Sequence, residues 1–236
     1  MKIYSPILIV AGEPNSIFFE IFFKAQKIRK FSSPLIIIGS SNLLELQMKK
    51  LKIKRKVKIL NPNNFDEKKL NNTTINLINV DYNTKIAFEK ISKKSNKYLE
   101  NSFEMAAKII KEKFIYKFIN GPISKKYFLN KKFLGVTEYL ASKFKSEKNA
   151  MLIYNKELSV CPVTTHLPVK YVAKKINSKM IIEKISLVND FYKKIIKKKP
   201  KIAVLGLNPH CETIDDFDED EKIIKPAIKI AQKYKY

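Results

Sequence analysis

The sequence predicts an α/β fold, in which a largely parallel or mixed sheet is flanked by helices. Short apolar runs alternate with longer amphipathic stretches along most of the chain, and this alternation is typical of strand–helix units. A length of 236 residues and a hydrophobic content of 45% suffice for a buried core, in one large domain or two small ones. No Gly/Ser-rich linker divides the chain, so the expected first lobe (residues 1–120) and second lobe (residues 121–236) meet at a soft boundary.

In the first half of the chain, an apolar run predicts each strand and a 3.6-residue repeat predicts each helix. Turn residues at 12–15 separate the first predicted strand from the first predicted helix, and those at 39–41 separate the second pair. The predicted strands are 5–11, 34–38, 57–60 and 75–80, and the predicted helical stretches are 16–29, 42–51 and 85–113.

The second half continues the same alternation. Residues 114–119 predict a strand that runs into the Asn120-Gly121-Pro122 turn, and residues 150–154 and 158–163 predict a hairpin or adjacent strands. A further strand is predicted over 201–207, and the predicted helices are 137–144, 168–176, 180–196 and 220–236.

The charge of +25 suggests a nucleic-acid or membrane-surface partner, but its composition argues against both. All basic residues except Arg29 and Arg55 are lysine, whereas phosphate and base recognition favours the guanidinium fork of arginine. The lysines are spread along the chain with abundant Asn and Ile, which fits an AT-rich coding bias. No apolar run approaches the ~20 residues needed to span a bilayer, and the first residues are too strand-like for a signal peptide. We therefore expect a cytoplasmic protein in which Cys161 and Cys211 are thiols.

The two histidines of the chain, His166 and His210, each follow an apolar run that predicts a buried strand. Side chains at the carboxyl ends of parallel strands are well placed for chemistry, and a neutral imidazole is a good ligand for a divalent metal. A polar residue that caps a strand end is the alternative. A catalytic metal site needs about three protein ligands, so a third would be a carboxylate or would lie outside this chain.

Two further segments are candidates for binding an anionic substrate. Gly121-Pro122-Ile123-Ser124-Lys125 follows a predicted strand, and Lys125 is either an anion ligand or a solvated lysine in an ordinary turn. Thr137 is a plausible N-cap of the helix 137–144, whose N-terminus can hold a phosphate. Capping alone explains that threonine equally well.

In their order and spacing, the motifs resemble those of the 4-hydroxythreonine-4-phosphate dehydrogenase family of vitamin B6 biosynthesis. They are Gly12-Glu13-Pro14 with Glu20, Gly121–Lys125, Gly135–Tyr139, Thr164–Pro168 and Gly206–His210. The resemblance implies an isocitrate/isopropylmalate-dehydrogenase-like fold that binds NAD or NADP without a Rossmann fingerprint. It also implies a homodimer with shared active sites and a divalent metal (Zn, Mg or Co) held by three histidines.

His166 and His210 match two of those ligands, and the third belongs to a motif beyond residue 236, so the resemblance implies that the C-terminal part is missing. The implied substrate is 4-phosphohydroxy-L-threonine, a small phosphorylated amino acid, bound at positions 136 and 137 and, we expect, by Lys125. Where the family has histidine, this chain has Val136. The general base, the metal and the choice between NAD and NADP stay open. The alternatives are a dehydrogenase of another phosphorylated hydroxy acid and a degenerate, non-catalytic homologue.

Overall fold

The structure, a computed structural model, describes residues 4–113, 115–130, 132–133, 135–234 and 236. Its central element is a five-stranded sheet with strand order β3-β4-β2-β1-β5, in which every neighbouring pair is parallel. The strands are β1 (Ile7–Val10), β2 (Leu35–Gly39), β3 (Val57–Ile59), β4 (Ile75–Asn79) and β5 (Lys117–Asn120).

The inner strands are nearly continuous apolar runs because helices cover both faces of a parallel sheet. β1 and β2 pair in register from Ile7 with Leu35 to Val10 with Ile38, and most of their side chains are fully buried. Asn76 is the buried polar residue of β4. Its buried side-chain amide donates to the carbonyl oxygen of Leu35, so the polar group has a partner inside the sheet.

Four helices accompany this sheet. α1 buries Phe19, Phe22 and Phe23 on one face, and the hydroxyl of Ser40 caps α2 by accepting from the N–H of Leu43. The long third helix packs against β1 and β2. The helices are α1 (Phe18–Ile28), α2 (Ser41–Lys50), α3 (Asn96–Lys113) and α4 (Val136–Lys143).

The chain forms two compact units, Met1–Phe144 and Lys145–Tyr236. The division expected near residue 120 therefore differs from the one the structure gives, which follows α4. In the second unit, buried Ile181, Ile185 and Ile224 pack with two alanines to form a small core. Its helices are α5 (Val172–Lys175), α6 (Ser178–Phe191) and α7 (Lys225–Lys233). A short 3-10 helix lies at Val169–Tyr171, and short π-helical segments lie at Tyr192–Ile196 and Asp220–Ile224.

The α/β prediction with helices flanking the sheet is confirmed, but several individual predictions were wrong. Residues 85–92 are an irregular loop and not the start of a long helix. Neither 158–163 nor 201–207 is a strand. Over 150–163 the described residues form one antiparallel bridge, between Ile153 and Val160. Within the described part of the chain, every helix is too short or too polar to span a bilayer.

Candidate active site and metal-binding histidines

The carboxyl ends of β1 and β5 lie side by side. The chain passes from β1 to β2 on one side and later reaches β5 on the other side of β1, so these ends form a topological switch point, where α/β proteins bind ligands. Gly12 has a φ of 78°, and a Cβ on it would overlap the carbonyl oxygen of Pro122. A Cβ on Gly121 would overlap the carbonyl of Ala11. The two turns can touch because neither glycine has a side chain.

Glu13 is buried at this crevice, with an exposure of 3%. Its Oε2 accepts a hydrogen bond from the Ser95 hydroxyl at 3.0 Å, and its Oε1 has no partner among the described residues. Burial raises the pKa of Glu13, while hydrogen bonds from Ser95 and Asn15 offset part of that rise. The Ser95 hydroxyl also lies 3.1 Å from the carbonyl oxygen of Ser92. Since a hydroxyl has one hydrogen, a protonated Glu13 would satisfy both contacts better than an ionised one.

Amide side chains hold the irregular loop 81–92 next to this turn. Gln47 is fully buried, and its Nε2 donates to the carbonyl oxygens of Pro14 and Ala87 at 2.9 and 2.8 Å. The Oδ1 of Asn15 accepts from the N–H of Glu89 at 3.0 Å. The loop is therefore tied to the Gly12-Glu13-Pro14 turn, although it has no regular secondary structure.

Lys125 begins a short helical segment, Lys125–Leu129, that follows the end of β5. The hydroxyl of Ser124 caps the segment by accepting from the N–H of Tyr127. The side-chain amide of Asn96, the first residue of α3, donates to the carbonyl oxygen of Tyr127 at 3.0 Å. Lys125 itself is exposed, so its ammonium group is available to an anionic ligand.

Thr137 is the second residue of α4 and not its N-cap, which corrects the expected capping role. The N-cap is Gly135, which has no side chain to accept from the first N–H groups of the helix. The start of α4 therefore carries the partial positive charge of the helix dipole with no capping side chain at the N-cap position, as suits an anion-binding helix start. Val136, the first helical residue, is half-buried and cannot donate a hydrogen bond from its side chain.

Four aromatic side chains, which we call the aromatic cluster, fix these two segments on α3. Tyr139 of α4 packs against Phe103 of α3, with ring centroids 5.2 Å apart, and against Phe128 of the Lys125 segment at 5.0 Å. Phe133 completes the cluster at 5.4 Å from Tyr139. The cluster therefore sets the positions of the Lys125 segment and the start of α4 within the first unit.

His166 and His210 lie in the second unit, both exposed and both with positive φ, 55° and 57°. The strands expected before them do not form, so neither histidine is at a strand end. Pro168 is the N-cap of the turn Val169–Tyr171 and not part of a first helical turn. The two histidines therefore lie in turns and not at the strand ends that the sequence had predicted. Both imidazoles are accessible to solvent.

The buried carboxylate of Asp220 holds the loop before His210. Its Oδ1 accepts from the N–H of Leu207 and its Oδ2 from the N–H of Asn208, each at 3.1 Å. Asp220 belongs to an acid-rich stretch, residues 215–221, and it is the buried member of that stretch. Nothing in the local pattern distinguishes it from its more accessible acidic neighbours, because its burial depends on the fold.

The imidazole nitrogens of His166 and His210 fit a divalent metal in kind, but two ligands are fewer than a catalytic site needs. Among the described residues, no group of three His, Cys, Asp or Glu side chains gathers to hold an ion. Asp220 is occupied by backbone N–H groups. A third ligand would have to come from outside the described residues.

Comparison with known proteins identifies a consistent set of relatives. The family model of the "Pyridoxal phosphate biosynthetic protein PdxA" matches residues 30–236. The 4-hydroxythreonine-4-phosphate dehydrogenase of a Sulfurihydrogenibium species is 36% identical over 228 residues, which cover 94% of this chain and 69% of that protein. The D-threonate 4-phosphate dehydrogenase of Salmonella typhimurium is 34% identical over 99 residues, 42% of this chain and 30% of that protein.

A solved structure shares the fold. The 4-hydroxythreonine-4-phosphate dehydrogenase of Klebsiella pneumoniae superposes with a TM-score of 0.82 and 21% identity, over 98% of this chain and 73% of that one. The expected fold class is therefore confirmed.

Proposed function

This chain belongs to the PdxA family of pyridoxal phosphate biosynthetic proteins, and on that premise we propose that it takes part in oxidising 4-phosphohydroxy-L-threonine with NAD or NADP. The secondary alcohol loses its hydroxyl proton, and its C–H hydrogen passes as hydride to the nicotinamide. The product, 2-amino-3-oxo-4-phosphooxybutanoate, is a β-keto acid. Loss of carbon dioxide and uptake of one proton then give 3-amino-2-oxopropyl phosphate.

The observation that carries the proposal is the fixed placement of the Lys125 segment and the start of α4 on one helix. An ammonium group and the N-terminal end of a helix are both suited to anionic oxygens. We assign Lys125 and Thr137 to binding of the substrate's anionic groups. Val136 supplies shape only, so one hydrogen bond that a histidine would donate is absent.

The proposed metal ligands of this chain are His166 and His210, with a third ligand outside it. When bound, a divalent ion such as Zn²⁺, Mg²⁺ or Co²⁺ supplies Lewis-acid polarisation of the alcohol oxygen. The two imidazoles contribute neutral nitrogen ligands and leave the charge of the ion uncompensated, which favours an anionic substrate. The general base stays unassigned.

A second candidate is oxidation of another phosphorylated hydroxy acid. It is favoured by the similarity to the D-threonate 4-phosphate dehydrogenase, which covers 42% of this chain. D-threonate 4-phosphate carries a hydroxyl group where 4-phosphohydroxy-L-threonine carries its amino group, so the two compounds differ in charge at that position. The third candidate, a non-catalytic homologue, is favoured by Val136.

The decisive experiment measures NAD(P)H formation with each of the two substrates, with and without added Zn²⁺, Mg²⁺ or Co²⁺. We expect metal-dependent turnover of 4-phosphohydroxy-L-threonine and its loss in the His166→Ala and His210→Ala variants. Turnover of D-threonate 4-phosphate alone would favour the second candidate. Ligand binding by calorimetry without turnover in metal-replete protein would favour the third.

We also propose a cytoplasmic homodimer in which active sites are shared, with no nucleic-acid or membrane partner. Light scattering after size-exclusion chromatography tests the dimer, and a monomer at the concentrations that support turnover would contradict it. Duplex DNA at physiological salt should bind negligibly. Tight, saturable binding would instead point to a role for the lysine excess.

A further inference from the structure

Asp220 is a buried carboxylate of the second unit, and both of its oxygens accept hydrogen bonds. It is 2% exposed, and its oxygens accept from two successive backbone N–H groups, those of Leu207 and Asn208, and from the side-chain amide of Asn208 at 3.2 Å. No lysine or arginine among the described residues forms an ion pair with it. Its hydrogen bonds are therefore directed at one stretch of main chain.

That stretch lacks the support that a sheet would give. Residues 201–207 are not a strand, and Leu205 is 82% exposed. The backbone turns immediately afterwards through two residues of positive φ, His210 at 57° and Cys211 at 59°. A non-glycine residue in this region costs about 1 kcal/mol or more, so surrounding contacts have to hold it there.

Gly206 shows how tightly the loop is packed. A Cβ at this position would lie 2.5 Å from the Cys211 sulfur and 2.9 Å from Oδ1 of Asp220. The start of the loop, the residue after His210 and the Asp220 carboxylate therefore converge on one point. His210 is exposed and lies in the turn that these contacts enclose.

We propose that Asp220 is a positioning residue that fixes the main chain of Leu207 and Asn208 and thereby sets the backbone position from which the His210 imidazole projects. The inference deepens the proposed function, because a His210 held in place is what a metal site needs. Partners that orient a metal ligand in this way typically contribute 10–100-fold to metal affinity. Here the position of His210 is set through the backbone, since no described side chain forms a hydrogen bond with the ring.

The test compares Asp220→Asn with Asp215→Asn, a change to an exposed member of the same acidic stretch whose carboxylate makes no hydrogen bond among the described residues. Asparagine keeps one acceptor and loses the other. We expect faster hydrogen–deuterium exchange at the Leu207 and Asn208 amides, a shifted His210 imidazole resonance, and Zn²⁺ affinity lowered about 10–100-fold in Asp220→Asn alone. Asn208→Ala, which removes the side-chain bonds to Asp220 and Glu219 and keeps both backbone bonds to Asp220, is the milder variant if Asp220→Asn does not fold.

The readouts separate positioning from stability and from the metal proposal. Unchanged exchange at both amides, or Zn²⁺ affinity equal to that of the unsubstituted protein, would overturn the positioning role. A loss of affinity that merely follows the fraction of unfolded protein would overturn it too. If the unsubstituted protein binds no Zn²⁺, the proposed metal site fails, and amide exchange with the His210 resonance still decides the role of Asp220.

Discussion

The N–H of Glu13 donates to the carbonyl oxygen of Pro122 at 2.7 Å and joins the turns that follow β1 and β5. Beside it, the N–H of Gly121 donates to the carbonyl oxygen of Val10 at the same distance. These bonds hold the two turns at the switch point in one arrangement, so the segment carrying Lys125 begins from a fixed position.

Replacing Gly121 with alanine should destabilise the first unit. The new Cβ would overlap the Ala11 carbonyl and approach a Phe18 ring carbon at 3.0 Å, and overpacking of this kind costs about 1–3 kcal/mol. Urea unfolding measures the loss. Gly39→Ala is the matched control, because its Cβ would meet Ala11 Cβ at 3.3 Å and shift it only slightly. Equal effects of the two changes would contradict this packing.

Glu13→Gln should flatten the acid side of the pH–stability profile. Because burial raises the pKa of Glu13 in the folded state, the native protein holds this proton more tightly than the unfolded chain does. Stability therefore falls as pH rises from the ordinary glutamate pKa of about 4.3 through the raised value. In Glu13→Gln the side chain is uncharged at every pH, so this fall in stability should disappear. The control, Glu20→Gln at the surface, should still show it.

Thermal unfolding between pH 4 and pH 8 checks this prediction. Burial also raises the pKa of Tyr82 and Tyr98, which lie near Glu13, but phenols titrate above this range. Lys94 lies near Tyr82 and forms an ion pair with Glu89 at 3.3 Å. Parallel profiles for the Glu13→Gln and unsubstituted proteins would contradict a raised pKa.

The aromatic cluster should tolerate loss of the Tyr139 hydroxyl and not loss of its ring. That hydroxyl is buried with no partner among the described residues, so Tyr139→Phe should be neutral or slightly stabilising. Tyr139→Ala should cost about 3–5 kcal/mol and raise KM for the phosphorylated substrate, since the start of α4 loses its contact with Phe103. Urea unfolding and steady-state kinetics measure both. A costly Tyr139→Phe change would reveal a hidden partner for the hydroxyl.

Val136→His should strengthen substrate binding if the start of α4 is the substrate site. A hydrogen bond of about 1–1.5 kcal/mol corresponds to a five- to tenfold lower KM. Val136→Leu adds bulk without a donor and serves as the control. A KM that is the same for the histidine and leucine variants would count against this placement of the substrate.

The inner strands β1, β2 and β4 were predictable because their apolar runs end at turn residues and are buried on both faces. The runs at 158–163 and 201–207 carry the same signal but form no strand, since a strand also needs a neighbour for its N–H and C=O groups. Leu158 is 75% exposed, which no sequence window reports. The apolar pattern alone could not separate these two outcomes.

The residues of the candidate site were likewise only partly predictable from the sequence. The motifs point to Lys125, Thr137 and the two histidines, whereas Glu13 enters only as part of the Gly12-Glu13-Pro14 motif and no motif points to Asp220. Residues 85–92 fail to become helix because Gln47 and Asn15, distant in sequence, bind their backbone instead. Contacts of this kind depend on tertiary structure, and for that reason they were missed.

The five glycines of the chain have a consequence for engineering a more robust protein. Each of them lies at a close contact or at a helix start. Left-handed backbone elsewhere is therefore adopted by other residue types, among them Lys197, which is exposed, has a φ of 60° and follows the Tyr192–Ile196 turn. Relieving that torsion with Lys197→Gly should raise the free energy of unfolding by about 0.5–1 kcal/mol. Lys193→Gly, inside the turn, should lower it, and urea unfolding distinguishes the two. Because the composition is rich in lysine and poor in glycine, stabilising substitutions to glycine are available at positions far from any proposed ligand.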